Sequence, residues 1–139
     1  MYWCFKNSER IKMRIFDCFM YFDEDLLLDL RLNILNDYVY KFIILEAKED
    51  HQGNNRKLNF DINKYPKFKD KINYISLEKI PIDNSIKLKK NYDIGHLRDQ
   101  SMRNLIKNYL DQASENDWIL ISDLDEIPNP KKFSNFSEK

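Results

Sequence analysis

Three carboxylates fall within four positions at the end of an apolar segment: Asp123, Asp125 and Glu126 follow Trp118–Ser122. Crowded carboxylates repel one another, and partial burial adds a desolvation cost to each charge. A divalent cation removes both penalties, and Mg²⁺ and Mn²⁺ favour carboxylate oxygens, usually one or two from the protein with phosphates and water. In an extended strand end Asp123 and Asp125 point to the same side, because side chains alternate. We therefore predict Asp125 and Asp123 as metal ligands, with one carboxylate on the metal directly and the other on a sugar hydroxyl or a metal-bound water, so that Asp123 also binds the ligand. The bare pattern also fits an acidic helix cap before Pro128.

Basic side chains that could contact a nucleotide's phosphates lie in the segment before this turn. Arg98 and Arg103 both fall in a predicted helix, Ile94–Ala113. Five residues correspond to about 140° around a helix, so the two cannot both face one ligand well. We predict that Arg103 and the adjacent Asn104 bind such a nucleotide ligand. The interpretation favoured for Arg98 and its neighbour Asp99 is an exposed charged face.

Several other residues carry weaker signals. Glu46 ends an apolar segment, where it could bind a nucleoside's ribose or base, or simply face water. His51 and His96 are more typical of loop, surface or packing residues than of catalysts. Gly53 and Gly95 are the only glycines in the chain, which excludes a glycine-rich phosphate loop and makes metal-mediated phosphate binding more necessary.

The elements that must position these residues follow from apolar runs and helical spacing. Short, nearly continuous apolar segments are typical of strands covered on both faces. They predict strands over Met13–Phe19, Val39–Ala47 and Trp118–Ser122, and more weakly over Ile72–Leu77.

Helical spacing marks two segments between the strands. The first, Asp23–Asn36, starts at Asp23 or Asp25 as a cap, and the second, Ile94–Ala113, is capped by Asp93. Strands that alternate with helices predict an α/β sandwich with a mostly parallel sheet, in which ligands bind beyond the carboxyl ends of the strands. The predicted buried stripes are Leu26, Leu27, Leu30 and Ile34 on the first helix, and Leu97, Ser101, Leu105, Tyr109 and Leu110 on the second.

Composition narrows the class of protein. The 139 residues hold 23 Lys and Arg against 23 Asp and Glu, so no global field favours a nucleic-acid partner. No stretch reaches the roughly 20 apolar residues of a membrane span. Cys4 and Cys18 fit two reduced thiols better than a disulfide framework, and a cytoplasmic location is the default expectation.

The ordered set of motifs resembles glycosyltransferase family 17 from about Ile11 to Pro130. The resemblance implies a GT-A-like (Rossmann-like) fold, with Asp123 and Asp125 in the metal-binding D-x-D motif. It also implies transfer of N-acetylglucosamine, with inversion, from UDP-N-acetylglucosamine to a mannose-containing glycan or glycoprotein, with Mn²⁺ or Mg²⁺ as the metal. The segments that carry it are Ile15–Phe19, Asp25–Leu27 with Arg31–Leu32, Phe42–Ala47, Arg98–Gln100 with Arg103–Asn104, and Ile121–Pro128.

Members of this family extend further than this chain. The domain division that follows is an N-terminal extension over 1–10 and a nucleotide-sugar-binding domain over 11–139 that lacks the acceptor part. Glu126 is a geometric candidate for the catalytic base, but an adjacent metal would weaken it, so we expect the base elsewhere.

Two alternatives stay open at this point. The first is a truncated, non-catalytic nucleotide-sugar-binding module, with possible self-association through an exposed sheet edge. The second is a phosphatase with an Asp-x-Asp nucleophile. It is disfavoured because that motif belongs on a first strand, and here it follows the last one.

Overall fold

The structure is a computed structural model that describes residues 13–87, 89–90 and 93–135. Within these ranges four strands form one sheet, in which every pairing is parallel and the spatial order is β3-β2-β1-β4. The predicted α/β class is confirmed, and the order is Rossmann-like. The strands are β1 (Ile15–Met20), β2 (Lys41–Ala47), β3 (Ile72–Leu77) and β4 (Trp118–Ile121).

Alternating side chains of the central strands enter two separate cores. In β1, Phe19 packs on one face of the sheet and Cys18 on the other, while Ile44 and Ile43 divide in the same way in β2. Both strands are buried along nearly their whole length, as their continuous apolarity predicts. The edge strands β3 and β4 are only partly covered, and no strand in the described ranges pairs with the outer edge of β4.

Helix α1 (Asp25–Leu35) covers the first face, but only Leu27 of the predicted stripe packs against this core, and the other three residues are exposed. Leu26, Leu30 and Ile34 are 82%, 47% and 39% exposed. The helix carries leucines on several sides, so the spacing alone fits more than one orientation. The predicted cap is also wrong, because Glu24 occupies that position without a side-chain bond to the helix. The buried face is Leu28, Arg31, Leu32 and Leu35.

Helix α2 (Ile94–Leu105) covers the second face and ends earlier than predicted, continuing as a 3₁₀ turn over Ile106–Tyr109. Its predicted cap is confirmed, since the Asp93 carboxylate accepts hydrogen bonds from the first-turn backbone amides. Met102 and Ile106 are fully buried although the predicted stripe omitted them.

Some predictions fall outside these ranges or concern single residues. Cys4 and the proposed extension over 1–10 lie outside the described residues. Cys18 is fully buried in β1, and burial raises the pKa of its thiol to about 12, so it behaves as an inert core residue. No helix in the described part of the chain is both long and apolar enough to cross a bilayer.

An ion pair joins the start of β4 to the start of β1. The Arg14 guanidinium donates to both carboxylate oxygens of Asp117, at 3.2 and 2.7 Å, and Asp117 also accepts from the backbone and hydroxyl of Ser114. The hydrogen bond from Arg14, above all, lowers the pKa of the Asp117 carboxyl well below its usual value of 3.8. The charged form of this carboxylate therefore stabilises the fold.

We expect Asp117→Asn to lower the melting temperature near neutral pH. A lowered pKa stabilises the fold above the ordinary value, and that stabilisation is lost as the pH falls below 3.8 towards the folded-state value. The gap between the two proteins should therefore shrink at acid pH, as followed by circular dichroism. Asp111→Asn, a change at an exposed aspartate with no bond to Arg14 in the structure, is the control. A gap that stays constant through this range would contradict the assignment.

Candidate functional site

A cavity of about 560 Å³ opens at the carboxyl ends of the strands. From β1 the chain passes through α1 to β2 on one side, and β4 lies on the other side, so this is the point where the strand order reverses. Open parallel sheets bind ligands in the crevice at this position. The wall comes from Met20 at the end of β1, Phe22 just after it, the loop after β2, the first turns of α2, and the acidic turn after β4.

The acidic turn presents Asp123 and Asp125 to the cavity, while Leu124 between them is buried in the first core. The backbone is a turn rather than an extended strand end, since the Glu126 amide bonds to the Asp123 carbonyl at 3.0 Å. Both aspartates line the same cavity, although the turn differs from the extended strand end that the prediction assumed. Asp125 is exposed, and its carboxylate makes no hydrogen bond or ion pair with the residues that the structure describes.

The buried side chain of Arg31, on helix α1, holds this turn in place. Its guanidinium is completely buried and forms a bidentate pair with the equally buried Asp17 of β1, at 2.9 and 2.8 Å. Nη2 also donates to the Ser122 hydroxyl at 2.6 Å, and Nη1 donates to the Asp123 and Leu124 carbonyls at 2.6 and 3.1 Å. One side chain therefore connects the central strand, helix α1 and the acidic turn. Sequence reasoning missed this role, although an arginine inside a leucine-rich helix and an aspartate inside an apolar strand were available signals.

Arg103 bonds to two carboxylates of the cavity wall, whereas Asn104 does not, and the donor contact of Arg103 stays a prediction. Arg103 bridges two carboxylates, with Nε donating to Asp99 at 3.0 Å and Nη2 bonded to Asp123. Asn104 points elsewhere and donates to Asp83 at 3.1 Å, because adjacent helical residues lie about 100° apart. The prediction that Asn104 contacts the donor is not supported by this position.

The interpretation of Arg98 and Asp99 as an exposed charged face is wrong. Both are half-buried, and Asp99 lines the cavity. Arg98 packs on Gly53, whose positive φ of 86° and missing side chain make room for it, since an added Cβ would lie 2.5 Å from Arg98 Nη2. The buried Arg98 Nε has no hydrogen-bond partner among the described residues.

Glu46 is a structural residue in this fold. Its side chain is completely buried, so the alternative that it faces water is wrong. One carboxylate oxygen accepts from Arg56 and the Asn59 amide at 3.0 and 2.7 Å, and the other from the Phe60 amide and the Tyr74 hydroxyl at 3.1 and 2.9 Å. Three of these bonds anchor the loop after β2 to the sheet, and the fourth, from Tyr74, joins β3 to β2. Glu46 does not line the cavity, so its predicted contact with a nucleoside is not supported.

Glu126 is, like Glu46, bonded to groups of the chain itself. Its carboxylate accepts from the Asp123 amide at 3.1 Å and closes the acidic turn on itself, and it does not line the cavity. A base must reach the hydroxyl that it deprotonates. The position of Glu126 therefore gives no support to a role as catalytic base.

Both histidines line the cavity, which the sequence analysis did not predict. The His51 ring packs against the Phe22 ring with 4.8 Å between centroids. His96 stands on the first turn of α2, with Nδ1 2.9 Å from the Asp93 carboxylate. The spacing of Asp93 and His96 at a predicted helix start was a signal that could have placed His96 beside its cap.

The donor set at the cavity fits a hard divalent cation of the kind implied by the D-x-D motif. Asp125 and Asp123 offer carboxylate oxygens, the ligands that Mg²⁺ and Mn²⁺ prefer. No group of three or more potential ligand side chains gathers within the described part of the chain. Such a metal would thus take one or two protein ligands, the number usual where substrate phosphates and water complete the shell.

Fold and site together define a Rossmann-like α/β protein with an acidic ligand cavity at its switch point. The family model described as glycosyltransferase family 17 matches residues 2–136, and the chain belongs to that family. Its reaction class is therefore glycosyl transfer. No curated protein and no solved structure matches the chain.

We expect Arg31→Met to lower the free energy of unfolding by about 3–5 kcal/mol, because it leaves the Asp17 charge buried and unpaired. The double variant Asp17→Leu/Arg31→Met should recover part of this loss, since no buried charge then remains. Urea denaturation measures both values.

Arg14→Met is the matched control for this experiment, because its guanidinium is partly exposed. It should lower stability less than Arg31→Met does. An equal loss in the two single variants would contradict the central role of Arg31.

Proposed function

We propose that this chain binds UDP-N-acetylglucosamine and transfers N-acetylglucosamine, with inversion, to a mannose-containing glycan, with Mn²⁺ or Mg²⁺ as cofactor. The observation that carries the proposal is the placement of Asp123 and Asp125 on one cavity at the switch point of a family 17 chain. The volume of about 560 Å³ lies within the usual range of small-molecule sites.

In this proposal the acidic turn holds the metal, and Arg103 offsets part of the negative charge beside it. Asp125 is the primary ligand, because its carboxylate has no partner among the described residues. Asp123 shares one oxygen with Arg103, which also binds Asp99, so the cluster carries a partly balanced charge before any ligand arrives. Arg103 could turn from Asp123 towards a donor phosphate, since Asp99 would keep its Nε in place.

The metal, when bound, supplies the positive charge that stabilises the departing diphosphate. The chain's own residues supply orientation and exclude water. Phe22, Leu27 and Leu124 form apolar wall beside the two aspartates, and the buried Arg31 fixes the backbone on which those aspartates stand. Rigid support of this kind holds charged groups in place before the reaction begins.

The mannose-containing acceptor and the glycoprotein partner rest on the family resemblance rather than on contacts. The cytoplasmic location is a separate default expectation from the two reduced cysteines. Self-association is proposed through the outer edge of β4, which is open within the described residues and could pair with another strand.

Asp125→Asn should weaken Mn²⁺ binding at least tenfold, because a neutral amide replaces the ligand with no partner in the structure. The measurement is isothermal titration calorimetry with Mn²⁺ in the presence of UDP. Glu126→Gln is the matched control: it removes a neighbouring carboxylate that does not line the cavity and should change the affinity little. Equal losses in the two variants would overturn the assignment of the ligand.

Release of UDP from UDP-N-acetylglucosamine, with methyl β-mannopyranoside as acceptor, tests the reaction itself. We expect acceptor-dependent release that EDTA abolishes and Mn²⁺ restores. Full release in EDTA would contradict the metal dependence. Binding of UDP and Mn²⁺ without any release would favour the alternative of a non-catalytic nucleotide-sugar-binding module.

A further inference from the structure

We propose that His96 is the general base that accepts the proton of the acceptor hydroxyl, and that Asp93 is its positioning residue. This inference rests on the proposed glycosyl transfer and names a group for a step that the sequence analysis left without one. Both residues lie at the start of α2 and line the same cavity as the acidic turn.

The contact between the two residues has the geometry of an oriented base. His96 Nδ1 lies 2.9 Å from Asp93 Oδ1, and the same oxygen accepts the backbone amides of Gly95 and His96 at 3.0 and 3.2 Å. The helix start therefore fixes the carboxylate, and the carboxylate fixes the ring. Since a carboxylate only accepts, Nδ1 carries a proton in this contact, and Nε2 is the nitrogen that would take a proton from a substrate.

The charge on Asp93 suits this role. Hydrogen bonds from the His96 side chain and backbone lower the pKa of the Asp93 carboxyl, so it is ionised at neutral pH. An ionised acceptor 2.9 Å from Nδ1 keeps the ring proton on that nitrogen, so the contact with Asp93 sets the tautomer of His96.

The other carboxylates that line the cavity have different bonds. Asp99 and Asp123 share the cation of Arg103, and Glu24 accepts the backbone amides of two residues before it. Asp125 is assigned to the metal, which would withdraw charge from it.

His51 is the other histidine of the cavity, and it packs on Phe22 with no carboxylate partner among the described residues. A base oriented by a third group is the arrangement that activates a hydroxyl. Among the described groups of the cavity, His96 alone has this arrangement.

In the proposed transfer step, one bond forms at the anomeric carbon, one breaks, and the proton moves to His96. The acceptor oxygen forms a bond to the anomeric carbon of the donor sugar while the bond from that carbon to the diphosphate oxygen breaks, and its electron pair leaves with UDP. The hydroxyl proton passes to Nε2 of neutral His96, which becomes an imidazolium and later returns the proton to water. His96 lies on α2 and the proposed metal ligands lie on the turn after β4. The base and the groups that bind the leaving diphosphate therefore come from different elements of the cavity.

Two variants test the assignment on the protein as it stands. With UDP-N-acetylglucosamine, Mn²⁺ and methyl β-mannopyranoside as probes, His96→Gln should lower kcat by about 10²- to 10⁴-fold, the range of general-base catalysis. Binding of UDP with Mn²⁺, measured by calorimetry, should stay within about twofold, because the ring does not hold the donor. Asp93→Asn should lower kcat less, and it keeps the helix cap since asparagine caps as well as aspartate.

The pH profile separates a base from a merely structural histidine. In the unmodified protein kcat should fall on the acid side as the base becomes protonated, and this fall should disappear from the residual activity of His96→Gln. The titratable groups that line the same cavity from other elements are Glu24, His51, Asp123 and Asp125, with Asp99 on the same helix as His96. His51→Gln is therefore the matched control and should keep the acid-side fall.

Nitrogen chemical shifts supply a readout that does not depend on turnover. With ¹⁵N-labelled protein above neutral pH, His96 should show the tautomer with the proton on Nδ1, and Asp93→Asn should weaken this preference. A His96→Gln variant with normal kcat, or an Nε2–H tautomer, overturns the base assignment while leaving the proposed function intact. Absence of any transfer by the unmodified protein that nevertheless binds UDP and Mn²⁺ overturns both.

Discussion

The site depends on one buried arginine side chain. Arg31 has no exposed surface, and a charge so placed must be paired and hydrogen-bonded or it destabilises the fold. Asp17 supplies the opposite charge, and the carbonyls of the acidic turn take the remaining donors. The need to satisfy the guanidinium therefore fixes the turn that presents Asp123 and Asp125. A hydrophobic residue at position 31 would fill the space but would not hold the turn.

Most of the carboxylates around the cavity have a bonding partner within the chain. Arg103 joins Asp99 and Asp123, whereas the Asp125 carboxylate has no partner among the described residues. Asp93 holds His96 on another part, at the start of α2. Asp93, Asp99 and Asp123 each accept hydrogen bonds from side chains or backbone amides, which reduces the repulsion that so many acids around one cavity would otherwise produce.

The contrast between the strands and the first helix shows why some elements follow from local pattern and others do not. The third strand begins and ends at Ile72 and Leu77 as predicted, and the others begin or end within two residues of the predicted bounds. Continuous apolarity suffices there, because both faces of a central strand are buried in any packing of the sheet. In α1 the leucines allow more than one buried face, and the pairing of Arg31 with Asp17 accompanies the face that is chosen. That choice depends on a residue fourteen positions away.

By itself the sequence determined the α/β class, the parallel sheet, the cap at Asp93 and the gathering of Asp123 and Asp125 behind the last strand. These features follow from periodicity, capping chemistry and strand ends, all of which act over a few neighbouring residues. Only the tertiary structure decided that Glu46 is buried, that Asn104 faces Asp83, and that His96 shares a cavity with the acidic turn. These outcomes depend on which loops and helix faces meet across the sheet, and such contacts join residues far apart in the chain that no local pattern records.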